Sequence, residues 1–500
     1  MKKIARLIQQ IVFFLTIASL VACGSNSSQE LVKNGGLDCF ATGATADNTK
    51  EGSGVALFYD AGLFPGNKNT GTPWTFLESS SSILTLTGAP QYNYTTCSEK
   101  YTKIIDAVMQ QDRNRQGSSA SGPVDSYSQL RKAVGTSIAP FVGLDTFYYV
   151  ADNLKLSDFK KGLTESIFKD ALDAKCAGPV TGDNLFATGV CPNGTYMHNF
   201  LWRANGLFNN NGTARFVGVE KGGSVNGDAG LTWTRGYLLK SYSNHGNTIP
   251  FYTAIFDAGS SGTRLSFFKV TPSSPGGKAL VQFQFTEKYA DSGINDFMSG
   301  RGTVSASKFP GQALPAGCRA TTGLGRDQVG PCVLQPLLNY LSSKLPSGVR
   351  ESDVKIELFA TAGMRTEDLK NGGTFSASEI ADFYRNDMKS YVATTLPYSN
   401  VGEFKTIDGN SEEGLWTWIN LNELRYNTFA TQGSCGNAPI GNFEVGGSSM
   451  QVAFPTLYAA NDAANIYNVS INGCSINVYS KTYLGLGGDD ARKFMRAYGF

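Results

Sequence analysis

The chain has 500 residues, 41% of them hydrophobic, and a formal net charge of +2. That content supports a large core and two to four domains, and the near-neutral balance provides no basic field for a nucleic-acid partner. Only two histidines are present, His198 and His245, which argues against a multi-histidine zinc site and against a histidine-based triad.

Lys2, Lys3 and Arg6 precede a mainly apolar stretch at 11–18 and the tetrad Leu20-Val21-Ala22-Cys23. This reads as an export segment, too short for a transmembrane helix. The tetrad resembles a bacterial lipoprotein cleavage box, which would make Cys23 the acylated, membrane-anchored first residue; a plain secretory signal is the alternative. Either reading places the chain in the periplasm, on the outer membrane or outside the cell. The remaining eight cysteines fit four disulfides in an oxidising compartment. Short loops close most readily, which pairs Cys39 with Cys97, Cys176 with Cys191, Cys318 with Cys332, and Cys435 with Cys474.

Residues 24–35 read as a polar tether, and 39–91 as loops with short strands. Apolar spacing predicts helices over 101–110, 141–156, 159–175 and 196–208, with a Ser/Gly-rich loop at 116–123. At 250–270 an apolar run stops at Asp257-Ala258-Gly259-Ser260-Ser261-Gly262-Thr263-Arg264 and resumes at Leu265. That pattern is strand, tight loop, strand. Gly259 and Gly262 let the loop backbone approach a ligand, so its amides and the Ser260, Ser261 and Thr263 hydroxyls can surround phosphate while Asp257 holds a hydrated cation. The stretch Glu444-Val445-Gly446-Gly447-Ser448-Ser449-Met450-Gln451 repeats the layout. Two such hairpins facing one another would grip a polyphosphate and its metal from both sides, as in the two-domain actin-like (ribonuclease H-like) α/β fold with its nucleotide site in the interdomain cleft.

The 257–264 loop resembles the first signature of the ecto-nucleoside triphosphate diphosphohydrolases, the apyrases. Ala360-Thr361-Ala362-Gly363-Met364-Arg365 resembles the second, residues 407–422 the third, 444–451 the fourth, and 479–487 the stretch that follows. Residues 92–97, 146–150, 191–197 and 227–239 resemble, in order, the half that usually comes after the fourth signature, and the last of them resembles the fifth. Here that half comes first, so a circular permutation is expected. Residues 36–225 and 398–500 would form one domain and 226–397 the other. The rival organisation is an unrelated front domain fused to a truncated apyrase.

The resemblance implies metal-assisted hydrolysis of nucleoside tri- and diphosphates. Asp257 and Glu444 would hold Mg²⁺ or Ca²⁺ largely through waters. Gly259, Ser260, Ser261, Gly262, Thr263, Ala362, Gly446, Gly447 and Ser448 would hold phosphate. Glu413 would be the catalytic carboxylate, with Thr361, Ser449 and Gln451 placing the water, and Tyr148 and Tyr196 would stack on the base. Arg365 reads as a packing residue. The sequence departs from the family in having Glu444 for the usual aspartate, an insertion before Trp233, and one extra residue in 409–414, which leaves Glu412 and Glu413 both open as the base. A polyphosphatase or kinase of the same superfold, or a non-catalytic nucleotide-binding surface protein, are the competing functions.

Overall fold

A computed structural model describes residues 92–115, 127–159, 161–178, 189–221, 223–225, 228–289, 292–304, 323–371, 373–458 and 465–492, with Cys39 and residues 317–318. The 1–23 leader with Cys23, the 24–35 tether, most of the 39–91 stretch and the 116–123 loop lie outside them.

The strands, in chain order, are β1 (Phe141–Asp145), β2 (Phe216–Val219), β3 (Gly223–Val225), β4 (Asp228–Leu231), β5 (Phe251–Gly259), β6 (Gly262–Thr271), β7 (Leu280–Tyr289), β8 (Val354–Ala360), β9 (Val401–Thr406), β10 (Gly441–Val445), β11 (Ser449–Pro455), β12 (Ile466–Ile471) and β13 (Cys474–Leu484). They build a five-stranded sheet in the order β7-β6-β5-β8-β9, a six-stranded sheet in the order β12-β13-β11-β10-β1-β2, and the separate β3–β4 hairpin.

The two larger sheets share one plan. In the first, β5, β6 and β7 pair antiparallel in succession, and β8 and then β9 add in parallel on the other side of β5. In the second, β10 and β11 pair antiparallel, β13 follows β11, and β1 and then β2 add in parallel on the other side of β10. This duplicated order is the actin-like α/β arrangement expected from the hairpins. The parallel half of the second sheet comes from the front of the chain and its antiparallel half from the end.

All four expected helices have different limits, the first running over Tyr94–Arg115 instead of 101–110. Residues 141–145 form β1, because Phe-Val-Gly-Leu is a short apolar run lying between two parallel neighbours, the setting in which a strand is apolar on both faces. The helix there is only Thr146–Asn153. The 159–175 helix starts at Glu165: Gly162 takes φ +89° and Thr164 caps the helix by accepting from the Ile167 amide. The 196–208 helix is Val190–Trp202, buried along its whole length between the Tyr94–Arg115 helix and its neighbours. The expected domain boundary at 397/398 also falls one strand early, since β9 pairs with β8 in the first sheet. All four expected disulfides are present.

Two helices carry the chain between the sheets. Trp233–Tyr242 leads into β5, and Leu415–Leu424 leads toward β10. They cross at Gly236, where a β-carbon would lie 1.8 Å from the Trp416 carbonyl oxygen. Arg235 fixes the crossing through Asn420 Oδ1 at 3.0 Å and an ion pair with Glu423. Around them Trp233, Phe359, Trp416, Trp418 and Phe429 belong to an aromatic core joined by residues of both sheets, including Ile255 and Ala453.

Candidate active site

The two Gly/Ser hairpins meet. Gly259 pairs with Gly262, whose φ of +135° closes the Ser260-Ser261 turn between β5 and β6. Gly446 closes the second turn by donating to the Ser449 carbonyl. A β-carbon at Gly447 would sit 2.7 Å from the Ser260 hydroxyl and 3.0 Å from Asp489 Oδ2, so the tips of the hairpins are in contact across the sheets. The segment after β13 steadies the second tip, since Gly488 donates to the Gly446 carbonyl and Asp489 and Asp490 donate to that of Gly447. Gly363 brings the Ala362–Glu367 helix against the first tip, because a β-carbon there would lie 3.0 Å from Ser260 Cα. Thr361 precedes this helix, and its amide donates to the Ala258 carbonyl. Ala362 and Ser448 are buried; Thr263 is buried beneath the loop with its hydroxyl unpartnered, and Ser261 is exposed.

Glu413 reaches the same place by a local device. Residues Gly409–Gly414 form a π-helical turn that runs directly into Leu415–Leu424. A π turn absorbs one extra residue in a helix, and the extra residue noted in 409–414 lies there. Its capping residue, Asp408, accepts from the Asn410 and Ser411 amides. Strand β13 clamps the turn: Thr482 donates to the Gly409 carbonyl, and Ser480 to that of Asn410. The two glutamates then face different ways. Glu412 accepts from Lys405 Nζ at 3.0 Å and from the Asp408 amide at 2.7 Å. Glu413 is buried, and its Oε2 accepts from Arg365 Nη2 at 2.5 Å. Arg365 also reaches Ser449 Oγ at 3.3 Å, and Ser449 accepts from Gln451 Nε2 at 2.7 Å. Arg365 therefore ties the glutamate to the Ser449–Gln451 pair, a role that its reading as a packing residue missed.

Acids converge beside this group. Asp257 is buried with Arg264 Nη1 3.6 Å away. Burial pushes its carboxyl up to about 6, with Glu413 and Asp145 adding to the rise and Arg264 and the Trp233 indole opposing it. Burial, then the charges of Asp145 and Glu413, hold Glu444 well above the ordinary carboxylate range. Asp145 is raised as well, by burial and by Glu413. The sequence reading missed Asp145, because a helix drawn over 141–156 hid an acid at the end of a strand. Among the described residues, no three His, Cys, Asp or Glu side chains close directly on a metal. Glu444 Oε2 is a buried oxygen with only the Thr417 hydroxyl close by, and a buried carboxylate near other acids fits a cation held through its waters.

Of the two tyrosines, Tyr196 is not at the cleft. Its ring is buried against Tyr101 and Phe200, and its hydroxyl donates to the Leu486 carbonyl at 2.7 Å, because the helix that carries it has no exposed face. Tyr148 is half-buried on the helix after β1, edge-on to Tyr149 and beneath Lys221. Tyr149, which the sequence reading passed over, is the nearer of the two to the charges of Asp145 and Arg264.

Residues 326–498 match the model of the GDA1/CD39 (nucleoside phosphatase) family, a span holding Thr361, Arg365, Glu413 and the second hairpin. That match covers about a third of the chain, and it marks this segment as similar to the family. The chain is 28% identical over 257 residues to the nucleoside-triphosphatase ntp-1 of Caenorhabditis elegans, covering 48% of this chain and 39% of the relative. It is 25% identical over 252 residues to the guanosine-diphosphatase of Schizosaccharomyces pombe, covering 49% and 38%. The chain thus spans about two fifths of the length of these relatives. The structure of nucleoside triphosphate hydrolases from Neospora caninum aligns with a TM-score of 0.30 at 17% identity, over 48% of this chain and 46% of the other.

Proposed function

We propose that this chain is an exported, divalent-cation-dependent apyrase that removes terminal phosphates from nucleoside tri- and diphosphates. The observation that carries the reading is the contact of Gly447 with Ser260, which brings two Gly/Ser hairpins, each with an acid at its root, against the Arg365–Glu413 pair. The hairpin amides and the Ser260, Ser261 and Ser448 hydroxyls hold the phosphates; Thr361, Ser449 and Gln451 orient a water; Glu413 takes its proton. The water oxygen bonds to the terminal phosphorus, the bridging P–O bond breaks, and the shortened nucleotide leaves with the bridging oxygen. Asp257 and Glu444 hold Mg²⁺ or Ca²⁺, which when bound neutralises phosphate charge. Tyr148 offers a ring to the base. Four disulfides fit an oxidising compartment, and Cys23 is the proposed lipid anchor.

Phosphate release from ATP and ADP with Mg²⁺ or Ca²⁺, and its loss in EDTA, is the expected result. Release from polyphosphate alone, phosphoryl transfer to an acceptor other than water, or nucleotide binding without turnover would each replace the reading by one of its rivals.

We further infer that the order of the two halves is permuted relative to the apyrases. Support comes from the second sheet, in which the order of the first recurs with β1 and β2 supplied from the front of the chain. A chain beginning at Thr248 would leave β10 without its parallel neighbour and uncover the apolar face under it. It is expected to be insoluble or inactive; a stable, fully active protein would overturn the permutation.

A further inference from the structure

Asp145 is the acid that nothing in the family resemblance calls for. It ends β1, one residue past the Leu144–Glu444 register pair and beside Val445, so two adjacent parallel strands deliver a carboxylate each to the same rim of the second sheet. The matching place in the first sheet, between the end of β8 and the following helix, belongs to Thr361. Asp145 likewise precedes a helix, Thr146–Asn153, where an aspartate ordinarily accepts from the first-turn amides. It makes no such bond, and its backbone stands at φ 53°, ψ −113°, a region costly for any residue with a side chain. The carboxylate is not committed to the cap, and the Arg264 guanidinium, which pairs with Asp257, is the opposite charge that acts on it.

A separate observation points to what occupies the space. Asn442 lies two residues before Glu444 on β10, on the same face, fully buried with neither end of its amide hydrogen-bonded. The Thr417 hydroxyl, one turn beyond Glu413, is also fully buried and lies against the Glu444 carboxylate, whose charge it favours. Fully buried polar groups left as Asn442 is are ordinarily satisfied by ordered water or an ion. The unpartnered Asn442 amide, with Thr417 and Glu444 beside it, makes a polar floor suited to a hydrated cation.

We propose that Asp145 is a third carboxylate of the cation site, acting with Asp257 and Glu444 on the hydration shell of a bound Mg²⁺ or Ca²⁺. The proposal rests on the apyrase reading above in requiring a cation there. Held through water, the three need not close on the ion directly, and among the described residues no three such side chains do. Without the ion, three like charges repel; with it, Asp145 shares its charge.

The test titrates Mg²⁺ and Ca²⁺ alone, without nucleotide, into the full chain and its Asp145→Asn and Asp257→Asn variants by calorimetry, and measures melting temperature with and without cation. Asp145→Asn keeps the shape of the side chain and removes only charge. It should weaken cation binding roughly tenfold to a hundredfold, the usual loss for a residue acting through a metal's outer shell. It should also raise the cation-free melting temperature and shrink the gain on adding cation. Wild-type affinity in Asp145→Asn together with loss in Asp257→Asn would overturn the role of Asp145 and leave the apyrase reading standing. If the unaltered chain binds neither cation, that reading falls with it. Unchanged binding in all three proteins would move the ion elsewhere and overturn the assignment.

Discussion

Glu413→Gln should lower phosphate release by roughly 10²–10⁴ while nucleotide binding persists, because the amide fills the same volume but cannot accept the water's proton. The side-chain oxygen that remains can still take the Arg365 hydrogen bond, so the Arg365, Ser449 and Gln451 group should keep its arrangement. The neighbouring change supplies the control. Glu412→Gln acts on a residue tied to Lys405 and the Asp408 amide on the other side of the turn, and it should leave turnover nearly intact. Release of inorganic phosphate, with nucleotide affinity measured by calorimetry, separates the two. Near-normal turnover in Glu413→Gln with loss in Glu412→Gln would move the base by one position.

What could be read in the sequence were the features set by local chemistry. The hairpins at Asp257 and Glu444 are written in alternation, glycine and serine, and they form where expected. Cysteines close in sequence paired as loop closure favours. What could not be read were features set by contacts distant in the chain. Phe141–Asp145 is a strand only because β10, some 300 residues later, lies beside it; alone, its apolar run fits a helix as well. Tyr196 was placed at the cleft by its neighbours in sequence, but its helix is enclosed on every side. The choice between Glu412 and Glu413 depends on a π turn whose direction is fixed by Thr482 and Ser480, on a strand that follows some 70 residues later. Arg365 could not be assigned for the same reason, since its partners come from two other segments.

The crossing at Gly236 ties this geometry together. The hairpins hang from different sheets, and the helices leading to them touch where a side chain has no room. The same crossing packs into the aromatic core that both sheets share, so it fixes where the two hairpins stand. The ion pair of Arg235 with Glu423, reinforced by Lys278 at 3.1 Å, lies at that crossing rather than at the cleft.

Stability should respond to pH and cation through Asp257. Its carboxyl titrates near 3.8 when solvated and is raised to about 6 in the fold, chiefly by burial. Between those values the folded protein carries the extra proton. This group's contribution is therefore fully present below about 3.8 and is lost as pH rises through 6. For a side chain this deeply buried the loss is about 3 kcal/mol. In EDTA, the melting temperature of the unaltered protein should fall as pH climbs from about 4 to 6 and level off above that, and Asp257→Asn should remove most of that slope and melt higher at pH 8. Adding Mg²⁺ or Ca²⁺ should reverse the order, because the cation favours the ionised carboxylate and stabilises only the protein that binds it. Melting curves at several pH values, with EDTA and with cation, decide the matter: the same pH slope in Asp257→Asn as in the unaltered protein would show that this carboxylate does not carry the charge burden of the cleft.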